Sequence, residues 1–386
     1  MDESTEDIPP GAAAGGAGAP TRTRRSRRHR ILGIALSVVG VVLAIVLIAG
    51  FFIHLPYVII APGEATPLDK NVVSVKGAPT YGHHGNVVFL TVQVSNHDPN
   101  VWRLVLSWLD PDREVVKRSN AVGCLSDAEN TTINTQLMDQ SQNDAKRVAL
   151  TRLGYTVDAD PPQISIVEVC PGAPAFGKLQ AGDRVLAIDD HDIKTIDDVA
   201  PLVQQHHPGE PATVTYSRNG ETHTATVVTG KRSKDGQKCM PVRVGAQGTP
   251  CLGVSTQSFT PYRFPIDIQI NTERVGGPSA GLAFTLAIID NLTPGDLTGG
   301  KKVAVTGTIS GDGVVGPVGG VEQKAITARH NGVKLMIVPR EEVKDARAGA
   351  GDVEVVGVHT LDEALAALQK AGGAPVPPTS LAPARS

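Results

Sequence analysis

One serine in this sequence stands among residues that would suit a nucleophile. Ser279 follows Gly277 and Pro278 and precedes Ala280, and an uncharged apolar run at 282–289 comes almost directly after it. Proline is well tolerated where a helix begins, so this pattern predicts a buried helix with Ser279 inside its first turn. Backbone N–H groups at such a helix start would stabilise negative charge that develops beside the serine oxygen.

A lysine further along the chain could activate this serine. Spacings of three and four residues place Lys324 on one apolar helix face with Val321 and Ala328, and Gln323 lies mostly off that face. Gly332 is expected to end this helix. Burial disfavours the charged form of lysine, so Lys324 is a candidate general base with a lowered pKa. The alternative is a stem that lies along the apolar face and holds its ammonium group in water. Serine with neutral lysine is the simplest pair for acyl transfer through an activated nucleophile.

Three motifs, in this order, resemble the proteolytic domain of the Lon family. They are a serine loop, a strand that carries a threonine, and a turn of proline and glycines that leads into a lysine-bearing helix, at 277–281, 305–309 and 317–320. The resemblance extends over about residues 253–368. It implies an α+β domain with serine endopeptidase activity. Separately from the resemblance, no metal and no cofactor are expected.

The same resemblance assigns roles to single residues. It implies that Ser279 is the nucleophile, that Lys324 is the base and that Thr306 orients the lysine. The other supporting positions surround the serine and are Gly277, Pro278 and Ala280. The family often carries aspartate three residues before the serine, where this chain has Gly276, so the hydrogen bonding around the site is expected to differ.

A second resemblance covers residues 159–231. A strand with alternating apolar residues at 164–169 precedes a Gly-Asp-Arg-Val-Leu-Ala-Ile-Asp run at 182–189 and a helix at about 196–205, an order similar to that of PDZ domains in bacterial proteases. Such domains bind extended peptides as an added strand at a sheet edge.

The resemblance to PDZ domains implies a peptide-binding strand. The residues expected to offer its edge are Ile164, Ile166 and Val167. The glycine-hydrophobic loop that usually precedes this strand is not evident at 158–162, so capture of a free C-terminus stays open. A structural role as a lid or spacer is the alternative.

The N-terminal part of the chain predicts a membrane anchor. Arginines crowd residues 22–30, and the apolar run 31–53 that follows is long enough to cross a bilayer at about 1.5 Å per residue. Because cytoplasmic flanks are rich in arginine and lysine, the N-terminus is expected in the cytoplasm and everything beyond His54 on the outer side. A cleaved signal peptide is the alternative interpretation.

The sequence therefore predicts an α+β protein of several segments. The stretch after the apolar run contains strand-like pieces at 57–60, 72–75 and 86–94 and a helix at 141–154, and is expected to space the later domains. The predicted segments are a disordered basic tail at 1–30, a transmembrane helix at 31–53, a membrane-proximal β-rich region at 54–158, a PDZ-like domain at 159–231, a polar connection at 231–248, a Lon-like proteolytic domain at 249–370 and a disordered tail at 371–386.

Four cysteines would face an oxidising compartment if this topology holds. Cys239 and Cys251 flank one short loop and are the expected disulfide. Cys170 lies where a small buried residue is usual in such domains, so simple packing is one interpretation of it, and the pairing of the cysteines stays open.

Other chemistries fit less well. A net charge of −3 gives no reason to expect nucleic acid, and the segment 295–302 has Lys302 where a phosphate-binding loop needs serine or threonine. Histidines and cysteines at zinc spacing are not evident. The Gly-x-Ser-x-Gly pattern at 277–281 also fits the nucleophile elbow of α/β-hydrolases, with His330 or His359 as base, but that fold needs several strands before the serine.

The sequence thus predicts a membrane-anchored, ATP-independent serine endopeptidase that cleaves unfolded or extended polypeptides and selects them with its PDZ-like domain. The partners expected are polypeptide substrates and the membrane, and the Lon resemblance adds a homo-oligomeric ring. The competing interpretation is a non-catalytic polypeptide-binding or scaffold protein of the cell envelope with the same fold.

Overall fold

The apolar run near the N-terminus forms one helix, α1 (Arg25–Phe52). Its stretch Ile31–Phe52 has a mean hydropathy of 3.1 in a window without buried residues, so its length and composition allow it to cross a membrane; an N-terminal signal sequence has the same form. The computed structural model describes residues 25–95, 97–234, 236, 238–272 and 275–376. Both predicted disordered tails lie largely outside the described residues.

The chain divides into two compact units, Met1–Ile53 and His54–Ser386, and the second contains all further elements. Its helices are α2 (Val101–Trp108), α3 (Arg118–Ala121), α4 (Asp127–Arg152), α5 (Val199–Val203), α6 (Gly281–Leu292), α7 (Val321–His330), α8 (Val343–Ala350) and α9 (Leu361–Lys370), with 3₁₀ turns at Ile196–Asp198 and Arg340–Glu342. Its strands are β1 (Tyr57–Pro67), β2 (Val73–Lys76), β3 (Asn86–Val94), β4 (Glu114–Lys117), β5 (Asp158–Ala159), β6 (Gln163–Val169), β7 (Arg184–Ile188), β8 (His191–Asp192), β9 (Pro211–Arg218), β10 (Glu221–Val228), β11 (Gly230–Arg232), β12 (Cys239–Met240), β13 (Pro250–Cys251), β14 (Val254–Phe259), β15 (Tyr262–Arg263), β16 (Asp267–Ile270), β17 (Lys302–Val305), β18 (Thr308–Ile309), β19 (Val315–Gly316), β20 (Leu335–Pro339) and β21 (Glu354–Val358).

A six-stranded mixed sheet organises the part of the molecule that carries the candidate site. Its order is β21-β20-β17-β3-β1-β4, in which the first four strands are parallel and β1 and β4 pair antiparallel. Successive residues of a strand point to opposite faces, so Val87 and Phe89 enter a core shared with α4, α6 and α9, whereas Val88 and Leu90 enter a core shared with α7 and α8. Helices thus cover both faces, as buried parallel strands require.

The stretch 54–158 is more than a spacer. It contains the predicted strands as β1, β2 and β3, but β1, β3 and β4 are three of the six strands of the larger sheet, and α4 packs on α6. The structure therefore differs here from the separate membrane-proximal region expected from the sequence. Hydrophobic pattern reveals a buried strand but not its distant partner, which is why the parallel pair β3–β17 was not foreseen.

Helix α4 is longer than the helix predicted at 141–154. It begins at Asp127 behind a capping box, in which Ser126 Oγ accepts from the Glu129 N–H and the Glu129 carboxylate accepts from the Ser126 N–H. The first half of α4 is mostly polar, with Ile133 and Met138 as its buried apolar residues, so it lacks the periodicity that marks a helix.

A second sheet, β10-β9-β7-β6-β14 with β8 beside β7, has its own hydrophobic core. The chain enters and leaves this part at one place. Strand β5 pairs with β15, with Ala159 opposite Tyr262, and the Asp160 N–H donates to the Pro261 carbonyl over 2.9 Å. The second sheet is therefore an insertion into the body built on the first.

The predicted polar connection at 231–248 is partly structured, because β11 pairs with both β12 and β13. The expected disulfide Cys239–Cys251 joins β12 to β13. Cys170 is more than a packed residue, since it bonds to Cys124 and ties the loop before α4 to the end of β6. Spacing could not reveal this pair, because 46 residues separate the two cysteines in sequence.

Candidate active site

Ser279 lies in a loop rather than in a helix. Helix α6 begins at Gly281 with Ala280 as its N-cap, so the prediction that Ser279 occupies the first helical turn is wrong. The Ser279 carbonyl accepts from the Gly307 N–H over 2.9 Å and from Thr306 Oγ1 over 3.2 Å. Because these bonds hold the Ser279 carbonyl at the end of β17, this carbonyl does not accept the first hydrogen bond of the helix. The helix therefore starts two residues later.

Helix α4 supports the serine loop from the other side. The Gly277 N–H donates to the Asn134 carbonyl over 2.8 Å, and Ser141 Oγ donates to the Pro278 carbonyl over 2.9 Å. A Cβ at Gly276 would lie 3.0 Å from the Asn134 Cβ, so a side chain at this position would press on α4. Sequence reasoning missed Asn134 and Ser141, because polar residues within a helix do not identify a partner 137 residues away.

Lys324 is buried, as the spacing on α7 predicts, and only 2 % of its surface is exposed. Its Nζ donates to Thr306 Oγ1 over 3.2 Å. Burial lowers the pKa of Lys324 from 10.5 to about 8, and the nearby Glu342 carboxylate opposes part of that fall. The alternative of an ammonium group held in water is thus wrong. Gln323, expected mostly off the buried face, is buried too, because both β1 and α8 pack against α7.

Thr306 connects the serine loop with the lysine. Its hydroxyl donates to the Ser279 carbonyl and accepts from Lys324 Nζ, which uses both capacities of a single hydroxyl group. Thr306 is itself buried, directly after β17. The structure therefore brings the three predicted residues into one hydrogen-bonded chain.

An open cleft of about 310 Å³ lies beside the serine. It is lined by Pro278, Ser279, Thr308, Pro317, Val318 and Gly319. The Val318 N–H donates to Glu342 Oε1 over 2.9 Å, and burial raises the pKa of this carboxyl group. The other oxygen, Oε2, is buried without a hydrogen-bond partner among the described residues. Sequence reasoning did not single out Glu342, which comes from a turn beyond β20.

The predicted peptide-binding strand is present but covered. Strand β6 carries Ile164, Ile166 and Val167, and it pairs with β7 on one side and with β14 on the other. Both isoleucines are fully buried. The prediction that these three residues offer a free edge is therefore wrong, because β14 returns from a point far along the chain to cover them.

The free edge on this side belongs to β14, since no strand within the described ranges pairs with its outer side. Leu252 and Gly253 precede β14, and Gly253 has a φ of +80°. This is the glycine-hydrophobic pattern that the sequence lacks before β6. It was missed because it follows the domain instead of preceding it.

The two histidines considered for a hydrolase triad have other contacts. His330 Nε2 lies 3.8 Å from Asp112 Oδ2, and His359 Nδ1 lies 3.6 Å from Glu341 Oε1. Both contacts are with carboxylates outside the serine loop.

Comparisons with known proteins agree with both resemblances. Residues 138–229 match the family described as PDZ domain, and residues 252–369 match the family described as Lon protease (S16) C-terminal proteolytic domain. The Lon protease of Haemophilus influenzae is 33% identical over 118 residues, which cover 30% of this chain and 14% of that protein. The Lon protease of Trichlorobacter lovleyi is 40% identical over 93 residues, which cover 23% of this chain and 11% of that protein.

The chain thus spans a small part of the length of these relatives. Among solved structures, the PDZ domain of an SdrC-like protein from Listeria monocytogenes is 19% identical and covers 24% of this chain and 85% of that one, with a TM-score of 0.20. That score is low, so the assignment rests on the sequence matches. This chain thus contains one apolar N-terminal helix, a stretch that matches the PDZ domain family and a C-terminal stretch that matches the proteolytic domain of Lon protease.

Proposed function

We propose that this protein is a serine endopeptidase in which Ser279 is the nucleophile and Lys324 the general base. The observation that carries the proposal is a fully buried lysine joined through one threonine to the loop of a partly buried serine. A lysine with a pKa of about 8 is partly neutral at physiological pH and can accept a proton, whereas an exposed lysine is already protonated there. Thr306 would keep Lys324 aimed at the serine loop.

The proposed reaction is acyl transfer. Ser279 Oγ attacks the peptide carbonyl while neutral Lys324 takes the hydroxyl proton, and the same proton later goes to the leaving amine. Within the described residues, the N–H groups of Ser279 and Ala280 donate no hydrogen bond, so they are available to the oxyanion. Gly277 and Pro278 would hold the loop in place through their bonds to α4.

The proposed activity needs no ATP. The segment that nearly matches a phosphate-binding loop is organised around its own carboxylate, because Asp296 accepts from the N–H groups of Gly85, Thr298 and Gly300. Its glycines are therefore engaged in a turn. Without an unfolding motor in this chain, substrates would have to be unfolded or already extended.

We further propose that the proteolytic domain is built from two stretches, about 54–159 and 262–370, with the PDZ domain inserted between them. The shared sheet and the β5–β15 pair support this division. In this proposal the PDZ domain selects polypeptides by adding them to the outer edge of β14. In the sequence, β14 is followed by β15, β16 and then the serine loop. A polypeptide bound to β14 would therefore contact the same segment of the protein that continues to Ser279.

The proposed location is a cell membrane, with α1 as a single-pass anchor and the second unit on the outer side. The arginines that precede the apolar run in the sequence and the two disulfides support this orientation. A ring of subunits, implied by the Lon resemblance, belongs to the same proposal and is tested by mass photometry of the detergent-solubilised protein.

Incubation of the purified protein with an unfolded polypeptide, without nucleotide, tests the proposed activity. We expect new peptide termini with the natural chain and none with Ser279→Ala, while His330→Ala, a matched change at the alternative base, cleaves normally. Binding of the polypeptide without any cleavage would favour the scaffold interpretation. Cleavage that persists in Ser279→Ala would remove this serine from the mechanism.

A further inference from the structure

Helix α2 (Val101–Trp108) turns its apolar side outward. Its one buried side chain is Ser107, whereas Leu106 is 66% exposed, Trp108 80% and Leu109 67%. In a helix packed on a core, the apolar side faces inward and serine faces water. The arrangement is reversed here, and the exposed residues form a contiguous apolar surface of the kind that marks an interaction site.

The start of α2 is bonded to the first residues of the second unit, which follow α1 directly in the chain. Asn100 caps α2 by accepting from the Arg103 N–H over 2.9 Å, and it forms a β-bridge with His54. The Leu55 N–H donates to the Pro99 carbonyl over 3.1 Å. Since α1 ends at Phe52, only about 7 Å of chain separates that end from His54.

We propose that α2 is an interfacial helix that inserts Leu106, Trp108 and Leu109 into the headgroup region of the bilayer beside the anchor. The proposal rests on the proposed membrane anchoring by α1. The headgroup region is about 5–8 Å deep on each side of a bilayer, so the start of α2 cannot lie far from it. Tryptophan favours this region, and amphipathic helices lie in it with their apolar side towards the acyl chains.

The charges around α2 indicate what kind of lipid surface it suits. Arg113 pairs with Asp110 over 3.0 Å, and Arg103 is the basic residue within the helix itself. With Asp112, residues 101–113 contain two arginines and two aspartates, so their charges cancel, unlike in helices that need anionic lipid. We expect insertion to be driven by apolar contact, to occur on uncharged phosphatidylcholine and to change little with salt.

Quenching of Trp108 fluorescence by brominated lipid tests the proposal. The chain has two tryptophans, so full-length protein with Trp102→Phe, reconstituted in phosphatidylcholine nanodiscs, reports on Trp108 alone. We expect the emission to be blue-shifted and to lose most of its intensity when the acyl chains carry bromine. Leu106→Asp in the same protein should restore much of the intensity, while cleavage of a short peptide is unchanged.

A matched control places the reporter elsewhere on the surface. Phe176 is 53% exposed and belongs to the PDZ part, so Trp102→Phe and Trp108→Phe combined with Phe176→Trp should show no quenching. Equal Trp108 emission in both lipids, with free quenching by acrylamide from the water, would overturn the proposal. Protection of Trp108 from both bromine and acrylamide would overturn it as well, because a second copy would then cover α2.

The proposed anchor α1 and the proposed interfacial helix α2 are tested by different measurements. Flotation of the protein with the nanodisc lipids in a density gradient tests α1 separately, and peptide cleavage tests the active site separately. A protein that floats and cleaves but leaves Trp108 in water keeps the proposed function and loses only this inference.

Discussion

The burial of Lys324 lowers the stability of the fold but suits the lysine to act as a base. Moving a lysine out of water is unfavourable, and among the described residues this one has a single neutral hydroxyl partner, Thr306, with Glu342 as the nearby opposite charge. The cost appears as the fall of its pKa from 10.5 to about 8. A residue that weakens the fold in this way is expected where function requires it.

Lys324→Met should therefore make the protein more stable. The difference between a pKa of 10.5 and one of about 8 corresponds to about 3 kcal/mol of free energy. The lost hydrogen bond to Thr306 removes about 1 kcal/mol of this, so we expect the free energy of unfolding to rise by about 1–3 kcal/mol at pH 7. The pKa in the folded state lies below that in the unfolded state, so the penalty is complete below pH 8 and disappears as the pH rises towards 10.5. Urea unfolding at pH 7 and at pH 9.5 measures this, and a less stable variant at pH 7 would contradict the account.

Glu342→Gln should shift the pH dependence of cleavage. The Glu342 carboxylate raises the pKa of Lys324, so its neutralisation should lower that pKa and move the rising limb of the rate to lower pH. Glutamine can still accept from the Val318 N–H, so the cleft wall should stay in place. Glu341→Gln, a neighbouring change beside His359, is the matched control and should leave the profile unchanged. An unaltered profile in Glu342→Gln would show that this charge does not reach the lysine.

At this scale the sequence singles out candidate residues but not the residues that support them. Ser279 and Lys324 are predicted from local motifs, since glycine, proline and helical spacing act over a few positions, whereas Thr306 is implied by the Lon resemblance. Asn134 and Glu342 act from elements that only the tertiary fold brings to the site, and each contributes one ordinary hydrogen bond. Nothing in their local sequence distinguishes such bonds from contacts with water.

At the scale of elements, the sequence predicted where strands lie but not which strands pair with one another. Strands β3 and β6 are recognisable from their buried residues, yet one lies in the middle of a parallel sheet and the other is covered by β14. Pairing between distant strands depends on the whole chain, whereas alternation depends on each strand alone. The error on the peptide-binding edge has this origin.

A photoreactive peptide should identify the edge that binds substrate. An extended peptide with a benzophenone side chain is expected to attach within β14 or at the facing turn Ile196–Asp198, and not within β6. Methylation of alternate backbone amides of the peptide should abolish attachment, because strand addition uses main-chain bonds. Mass spectrometry of the digested adduct locates the site. Attachment confined to residues of β6 would mean that β14 leaves its place when peptide binds.

At the scale of the molecule, the proposed insertion of the PDZ domain predicts that it can be removed. Replacement of residues 160–261 by Asn-Gly, with Cys124→Ser to remove the unpaired thiol, should close β5 and β15 into a two-residue hairpin. We expect this protein to cleave a short unstructured peptide within a few-fold of the natural rate. Activity on a long unfolded protein should fall strongly, because tethering supplies effective concentrations of about millimolar.

The controls for this excision follow from the larger sheet. A chain that begins at residue 249 lacks β1, β3 and β4 and should not fold, as circular dichroism would show. Equal losses on short and long substrates after the excision would mean that the PDZ domain supports the catalytic fold. Unchanged cleavage of the long substrate would leave it as a spacer.

Activation of Ser279 by Lys324 is tested most directly by the rate at which a β-lactone probe acylates the serine. Intact-mass measurement across pH should show one adduct, mapped to Ser279, that forms faster as the pH rises through about 8, because only the neutral lysine accepts a proton. Lys324→Arg should slow the reaction by about 10²–10⁴-fold at every pH, since arginine stays charged, while Lys334→Arg on the exposed surface should react normally. Equal acylation of the natural chain and Lys324→Arg would contradict the claim.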